Sequence, residues 1–241
     1  MSLPTKLMDL LMRDDYASEV AAGDGRLSPQ LIGHALRSGR CPRDRVFDRF
    51  LPPDIRAVSR QYWTPLAAAV RAAAWLDELN VRTVFDVGSG AGKFCVAAAL
   101  AGRAHFVGIE QRARLVAVAE DLARTFGVSE RVSFAHGTFP DALVADADAY
   151  YFFNSFGENL FDPEHRLDED VELSPSRYQA DTIAAERVLR QTRVGTYLLT
   201  YNGFGGFVPD SYSEVRVDRE LPCVLRMWRK TATTSCLTPL L

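Results

Sequence analysis

The sequence predicts an α/β fold: a three-layer sandwich on a mostly parallel sheet, with a C-terminal antiparallel hairpin and an N-terminal helical cap. Three observations predict it. Short apolar runs alternate with amphipathic helical stretches after residue 80, the pattern of parallel strands covered on both faces. A glycine-rich turn, Gly88-Ser89-Gly90-Ala91-Gly92, follows the first of these runs and opens a helix. The first eighty residues show helical spacing and no strand candidate.

Taken in order, Leu7, Leu10, Leu11 and Val20 recur at helical spacing over residues 3–22, and Gly23-Asp24-Gly25 stops the pattern. Ser28-Pro29 reads as an N-cap and first helical position, opening a helix to Arg37. A turn over residues 38–42 precedes a longer helical pattern from 54 to 80, with a break at Pro65. Strands are expected at 83–87, 105–110, 132–135, 149–154 and 195–201, with helices at 93–101, 112–126 and 178–192 between them. Residues 213–217 and 224–230, either side of Leu221-Pro222, are close enough to pair as a hairpin. The division this implies is a cap over residues 1–80 and an α/β domain over 81–241.

With 47% hydrophobic and 24% charged residues, a chain of 241 residues can bury one substantial core. Its formal net charge of −3, without a dense Lys/Arg run, gives no general attraction to phosphate backbones, so nucleic acid is disfavoured as a partner. Cys41, Cys95, Cys223 and Cys236 form no CxxC pair and no disulfide-scaffold density, which points to a reducing cytoplasm. Asp9, Arg13, Asp14 and Asp15 interrupt the N-terminal apolar residues, so neither an export signal nor a membrane partner is expected. The four histidines have no metal-ligand spacing, and no metal is expected.

The glycine turn lies at the carboxyl edge of the expected sheet, where ligands bind in open α/β folds. Glycines there allow positive φ and let a ligand approach the backbone. A dinucleotide enzyme uses a similar turn, but its fingerprint asks for glycine or alanine where this chain has Lys93, and it has no standing need for an anion at Asp86. Asp86-Val87-Gly88-Ser89-Gly90-Ala91-Gly92 instead resembles the first motif of class I, Rossmann-like methyltransferases, an acidic residue followed by GxGxG. The resemblance implies S-adenosylmethionine as cofactor, with Asp86 near the methionine amino group or its waters and Gly88, Ser89, Gly90 and Gly92 packed against it. Glu110 ends the next strand, where a carboxylate can accept both ribose hydroxyl protons, and this matches the family's second motif. Gln111 beside it joins the expected cofactor set. Glu110 is also placed to cap the helix that follows. At the end of the third strand, Thr138 is the candidate to read the adenine edge, and His136 is as readily a surface loop histidine.

Methyl transfer from a sulfonium is an in-line displacement that leaves the protein positioning and proton control. The acceptor side is expected at the end of the fourth strand, where Tyr150-Tyr151-Phe152-Phe153 runs into Asn154-Ser155-Phe156-Gly157-Glu158-Asn159. Asn154 resembles the first residue of the Asn-Pro-Pro-aromatic loop of amino methyltransferases, without its prolines. The segment is also similar over a few residues to the Asn-Asn-Phe-Ala-Phe-Gly region of histone-lysine methyltransferases that lack a SET domain. Both point to a nitrogen acceptor on a small molecule or protein. Asn154 and Glu158 are the catalytic candidates, Asn154 doubling as a cofactor contact and Glu158 holding a cationic amine or taking its proton. Phe156, Tyr62, Trp63 and Tyr201 are candidate substrate walls, each equally readable as a core aromatic or loop residue. The acidic run Asp162, Glu164, Asp168, Glu169, Asp170 and Glu172 reads as a solvated loop or as an attractor of basic substrate. The alternatives are O-methylation, a nicotinamide oxidoreductase, and an inactive cofactor-binding module.

Overall fold

The computed structural model describes residues 28–143 and 146–232. The helix expected over residues 3–22 and Cys236 lie outside the described residues. Helix α1 (Pro29–Arg37) begins as its sequence dictates: the Ser28 hydroxyl accepts from the Leu31 N–H at 3.2 Å, and Pro29 takes the first helical position. It buries Leu31, Ile32, Ala35 and Leu36.

The long helical pattern over 54–80 breaks near Pro65, as its sequence predicts, and again at Val58, giving three helices. Ahead of them lie α2 (Asp44–Phe47) and a 3₁₀ turn (Asp48–Phe50), followed by α3 (Pro53–Ala57), α4 (Ser59–Tyr62) and α5 (Leu66–Glu78). Val58 leaves helical geometry between α3 and α4, and Trp63 is extended after α4; Pro65 then disfavours helix at Thr64, the residue before it.

The sheet contains β1 (Thr83–Val87), β2 (His105–Glu110), β3 (Val132–His136), β4 (Ala149–Phe153), β5 (Tyr197–Tyr201), β6 (Tyr212–Asp218) and β7 (Leu225–Lys230). Their order is β3-β2-β1-β4-β5-β7-β6, with β1 to β5 parallel and β7 antiparallel to both neighbours. Helices α6 (Lys93–Ala101), α7 (Ala113–Phe126) and α8 (Pro175–Gln191) complete the layers. The expected Rossmann-like sandwich with its C-terminal hairpin is therefore present. Chain direction across the sheet reverses between β1 and β4, and such a reversal opens a crevice at the carboxyl ends of the strands.

Strand β4 shows why an all-apolar run suits a central strand. Tyr151 faces the cap side, stacked on Phe94 with centroids 3.6 Å apart and its hydroxyl 2.9 Å from that of Thr64. Tyr150 and Phe152 face the opposite way, into the core under α8. Helix α6 is apolar on every side because α1, α5 and α7 all pack around it, so the cap shares one hydrophobic core with the sheet. The polar tie is Lys93, whose buried ammonium lies 2.6 Å from Asp44 and 2.7 Å from Asp48. Among the described residues no helix is long and apolar enough to cross a membrane.

Candidate functional site

A cleft opens at the β1/β4 switch point, lined by residues that end β1, β2 and β4. Its floor is the β1–α6 turn. The N–H groups of Gly88 and Ser89 both donate to the Ile109 carbonyl, at 2.9 and 3.0 Å, which hangs the turn on the end of β2. Gly88, Gly90 and Gly92 all have positive φ, at 73°, 54° and 73°.

Glu110 joins the two motifs physically. One carboxylate oxygen accepts from the Gly90 N–H and the other from the Arg112 N–H, each at 2.9 Å, and the residue lines the cleft. Burial pushes its carboxyl above the ordinary range, while those two N–H groups and the Arg112 charge pull it back. Gln111 and Thr138 line the same side; the Gln111 side chain accepts from Arg177 at 3.0 Å, and the Thr138 hydroxyl donates to Asp141 at 3.2 Å. His136 is exposed, its ring 3.0 Å from the Gln111 carbonyl.

Not every expected residue reaches the cleft. Gly88 does, facing Ser155 across the β1/β4 crevice, but Gly90 is covered: a Cβ there would fall 2.2 Å from the Trp63 ring. Trp63, expected as a substrate wall, is instead a buried clamp on the glycine turn, with its indole N–H donating to the Ile55 carbonyl at 3.0 Å. A Cβ at Gly92 would meet Phe134 and Ala119 at 2.6 and 2.7 Å, so that glycine serves helix packing. Ser89 is buried and its hydroxyl has no hydrogen-bond partner among the described residues. Tyr201 is also corrected: it is a core residue, its ring 5.0 Å from Phe153 and its hydroxyl accepting from the Cys223 N–H at 3.0 Å.

Asp86 lies beneath the turn, fully buried, accepting from the Cys95 thiol at 3.3 Å. Burial pushes its carboxyl from 3.8 up to about 7, against the thiol hydrogen bond and with a smaller push from the Glu110 charge. A raised carboxyl holds its proton in the folded state where the unfolded chain has released it, so its burial weakens the fold as pH rises from about 4 to about 7. Three pKa units correspond to at most on the order of 4 kcal/mol. Asp86→Asn should remove that part of the slope, leaving stability flatter between pH 4 and 7 in denaturant titrations. An unchanged slope would show that Asp86 ionises as freely in the folded chain as in the unfolded one.

At the β4 end, Asn154 adopts φ 45°, ending the strand, and its amide lies against Gly157 at the cleft rim. Phe156 lines the cleft as expected, though nearly buried. Glu158 also lines it, but its carboxylate is engaged by Arg112 at 2.9 and 3.0 Å and by the Leu167 N–H at 2.8 Å. Arg112 reaches Asp168 as well, at 2.7 Å, so two acidic groups of this region are bound rather than solvated. Burial works against the Arg112 charge, yet the bonds to Asp168 and Glu158 hold its pKa above the ordinary value. Asp162, Glu164, Glu169, Asp170 and Glu172 are exposed, as a solvated loop would have them. Tyr62 closes the arrangement from the cap, its hydroxyl donating to the His165 carbonyl at 2.6 Å. Sequence reasoning missed Arg112, Arg177 and Asp181 as cleft residues; an arginine two positions after the acidic end of β2 was the local hint.

Residues 80–169 match the family model described as a methyltransferase domain. Solved structures share the fold. A candidate O-methyltransferase from Klebsiella pneumoniae aligns with a TM-score of 0.56 at 15% identity, covering 86% of this chain and 98% of that one. The O-methyltransferase from Bacillus cereus, solved with S-adenosylhomocysteine, aligns with a TM-score of 0.53 at 11% identity, covering 84% and 96%. Mitomycin 7-O-methyltransferase aligns with a TM-score of 0.52 at 16% identity, covering 89% of this chain and 66% of that one.

Proposed function

We propose that this chain, whose residues 80–169 match a methyltransferase domain, is a class I, S-adenosylmethionine-dependent enzyme that methylates nitrogen on a small molecule or protein. One observation carries the reading: the cleft at the β1/β4 switch point sets the Glu110 carboxylate and the free rim amide of Asn154 on opposite sides of Gly88. The residues present suit an adenosyl group on the β2 and β3 side. Ile109 and Phe139 offer apolar surface there, Thr138 a hydroxyl, and Glu110 keeps lone pairs beyond the two its backbone partners use. Bound S-adenosylmethionine supplies an electrophilic methyl group. The protein then has to orient a nucleophile and exclude water.

Calorimetry tests the cofactor assignment. S-adenosylmethionine should bind and a nicotinamide dinucleotide should not, and Glu110→Ala should weaken the former by about 1 to 3 kcal/mol, the scale for leaving buried hydroxyls without a charged acceptor. Binding of the dinucleotide alone would overturn the reading.

Asn154 is the proposed orienting residue. Its side-chain amide makes no hydrogen bond to any described residue, so its carbonyl is available to accept an N–H of the acceptor. Asn154→Ala should lower single-turnover rates about tenfold or more, a larger effect than on cofactor affinity, since alignment is the main loss. If the rate per folded molecule is unaltered, Asn154 only terminates β4.

A further inference from the structure

We infer that the acceptor is a small aromatic or heteroaromatic amine, seated against the rings of the cleft with its nitrogen at Asn154. This rests on the methyl-transfer reading above and narrows it.

A pinned wall is the first ground. Residues 157–173 run as a strap between β4 and α8, and Glu158, Asn159, Phe161 and Leu173 within it line the cleft. Arg112 clips the strap at Glu158 and Asp168, and Tyr62 clips it at the His165 carbonyl. The Arg112 side chain is only 4% exposed, so this clip is an integral part of the wall rather than a surface ion pair. The two clips hold the strap's lining residues Glu158, Asn159, Phe161 and Leu173 in place beside the exposed Asn154.

The walls set the shape. Tyr62, Phe153, Phe156, Phe161 and Leu173 line the acceptor side, with Tyr62 and Phe161 edge to face at 6.1 Å. Such surfaces favour a flat apolar body over a flexible polar one.

Charge and proton chemistry decide the nucleophile. Arg112 is bound by Glu158 and Asp168, and Arg177 by Asp181, so neither lining arginine is left to pair with a carboxylate or phosphate on the acceptor. The lining carboxylates are hydrogen-bonded too, and Glu110 lies on the adenosyl side of the cleft. Glu110 holds two backbone N–H groups, Glu158 holds Arg112 and Leu167, and Asp181 holds Arg177. Among the described residues no histidine lines the cleft. An aliphatic amine arrives as ammonium with no lone pair, and a phenol arrives protonated, so each needs a base. An aromatic amine arrives neutral with its lone pair available. In the transfer that pair forms the new N–C bond, the methyl–sulfur bonding pair leaves with sulfur, and the nitrogen sheds its extra proton to water.

The test uses the full chain with two readouts. Loaded with S-adenosylhomocysteine, it should bind 8-aminoquinoline by calorimetry at least tenfold more tightly than 2-phenylethylamine, and Phe156→Ala should weaken that binding while cofactor affinity holds. With methyl-labelled S-adenosylmethionine, transfer to nitrogen of 8-aminoquinoline or aniline should exceed transfer to 1-naphthol, 2-phenylethylamine, a lysine peptide or a short RNA at least tenfold. Preference for any of those four overturns the inference, as does cofactor binding without binding of either aromatic amine. Failure to bind the cofactor at all overturns the methyl-transfer reading, and this inference with it.

Discussion

Replacing Gly90 by valine should destabilise the protein by about 2 to 5 kcal/mol in denaturant unfolding. Two terms add. The new Cβ would lie 2.2 Å from the Trp63 ring, and overpacking of this kind costs about 1 to 3 kcal/mol. Gly90 also has φ 54°, a left-handed conformation that costs a side-chain-bearing residue about 1 to 2 kcal/mol. The clash term predicts a specific coupling. In a Trp63→Ala background the ring is gone, so the Gly90→Val step should cost mainly its backbone strain, and the two changes together should fall short of their sum by about 1 to 3 kcal/mol. Additive effects would mean that Trp63 does not cover the turn in solution. Cofactor affinity separates this from a purely structural account: Trp63→Ala uncovers Gly90 and should alter S-adenosylmethionine binding by tenfold or more.

Arg112→Met should have the second large effect. The guanidinium is the common partner of Glu158 and Asp168, whose side chains are 15% and 18% exposed, and its removal leaves two half-buried carboxylates facing each other. Removing one partner of a fully buried pair costs about 3 to 5 kcal/mol, so some 2 to 3 kcal/mol is expected at this partial exposure. The loss should be local. Amide exchange should accelerate across residues 157–173 first, where Glu158 also holds the Leu167 N–H, and less in β1, β2 and β4. Arg112→Lys should recover only part of the stability, because an ammonium cannot present the paired donors that meet both oxygens of Glu158. Uniform exchange rates along the chain would argue against a clipped strap.

Much of the architecture was legible before any coordinates. Strand β1 and helix α6 fall where the apolar run, the glycine turn and the following helical spacing put them, because a strand, a tight turn and a buried helix each impose a local pattern. Helix α8 starts at Pro175, three residues ahead of expectation. Its Ser174-Pro175 start is the same cap signal that was used at Ser28-Pro29. The helical pattern over 54–80 breaks near Pro65 as expected, but nothing in its periodicity marks Val58 as the point where α3 gives way to α4.

By itself the sequence determined the sheet, the glycine turn and the residues that end β1, β2 and β4, because all of these depend on neighbours a few positions apart. Only the tertiary structure decided what those residues face. Asp86 and Glu110 are both acidic strand ends, yet one is sealed beneath the turn and the other lines the cleft. Trp63 and Tyr62 are adjacent, yet one lies on Gly90 and the other reaches His165, 103 residues along the chain. Glu158, read as a catalytic candidate to hold an amine or take its proton, is held by Arg112 from 46 residues away. A hydrogen bond or ion pair of that kind satisfies a buried charge wherever the fold delivers a partner, and its energy leaves no periodic trace in the chain.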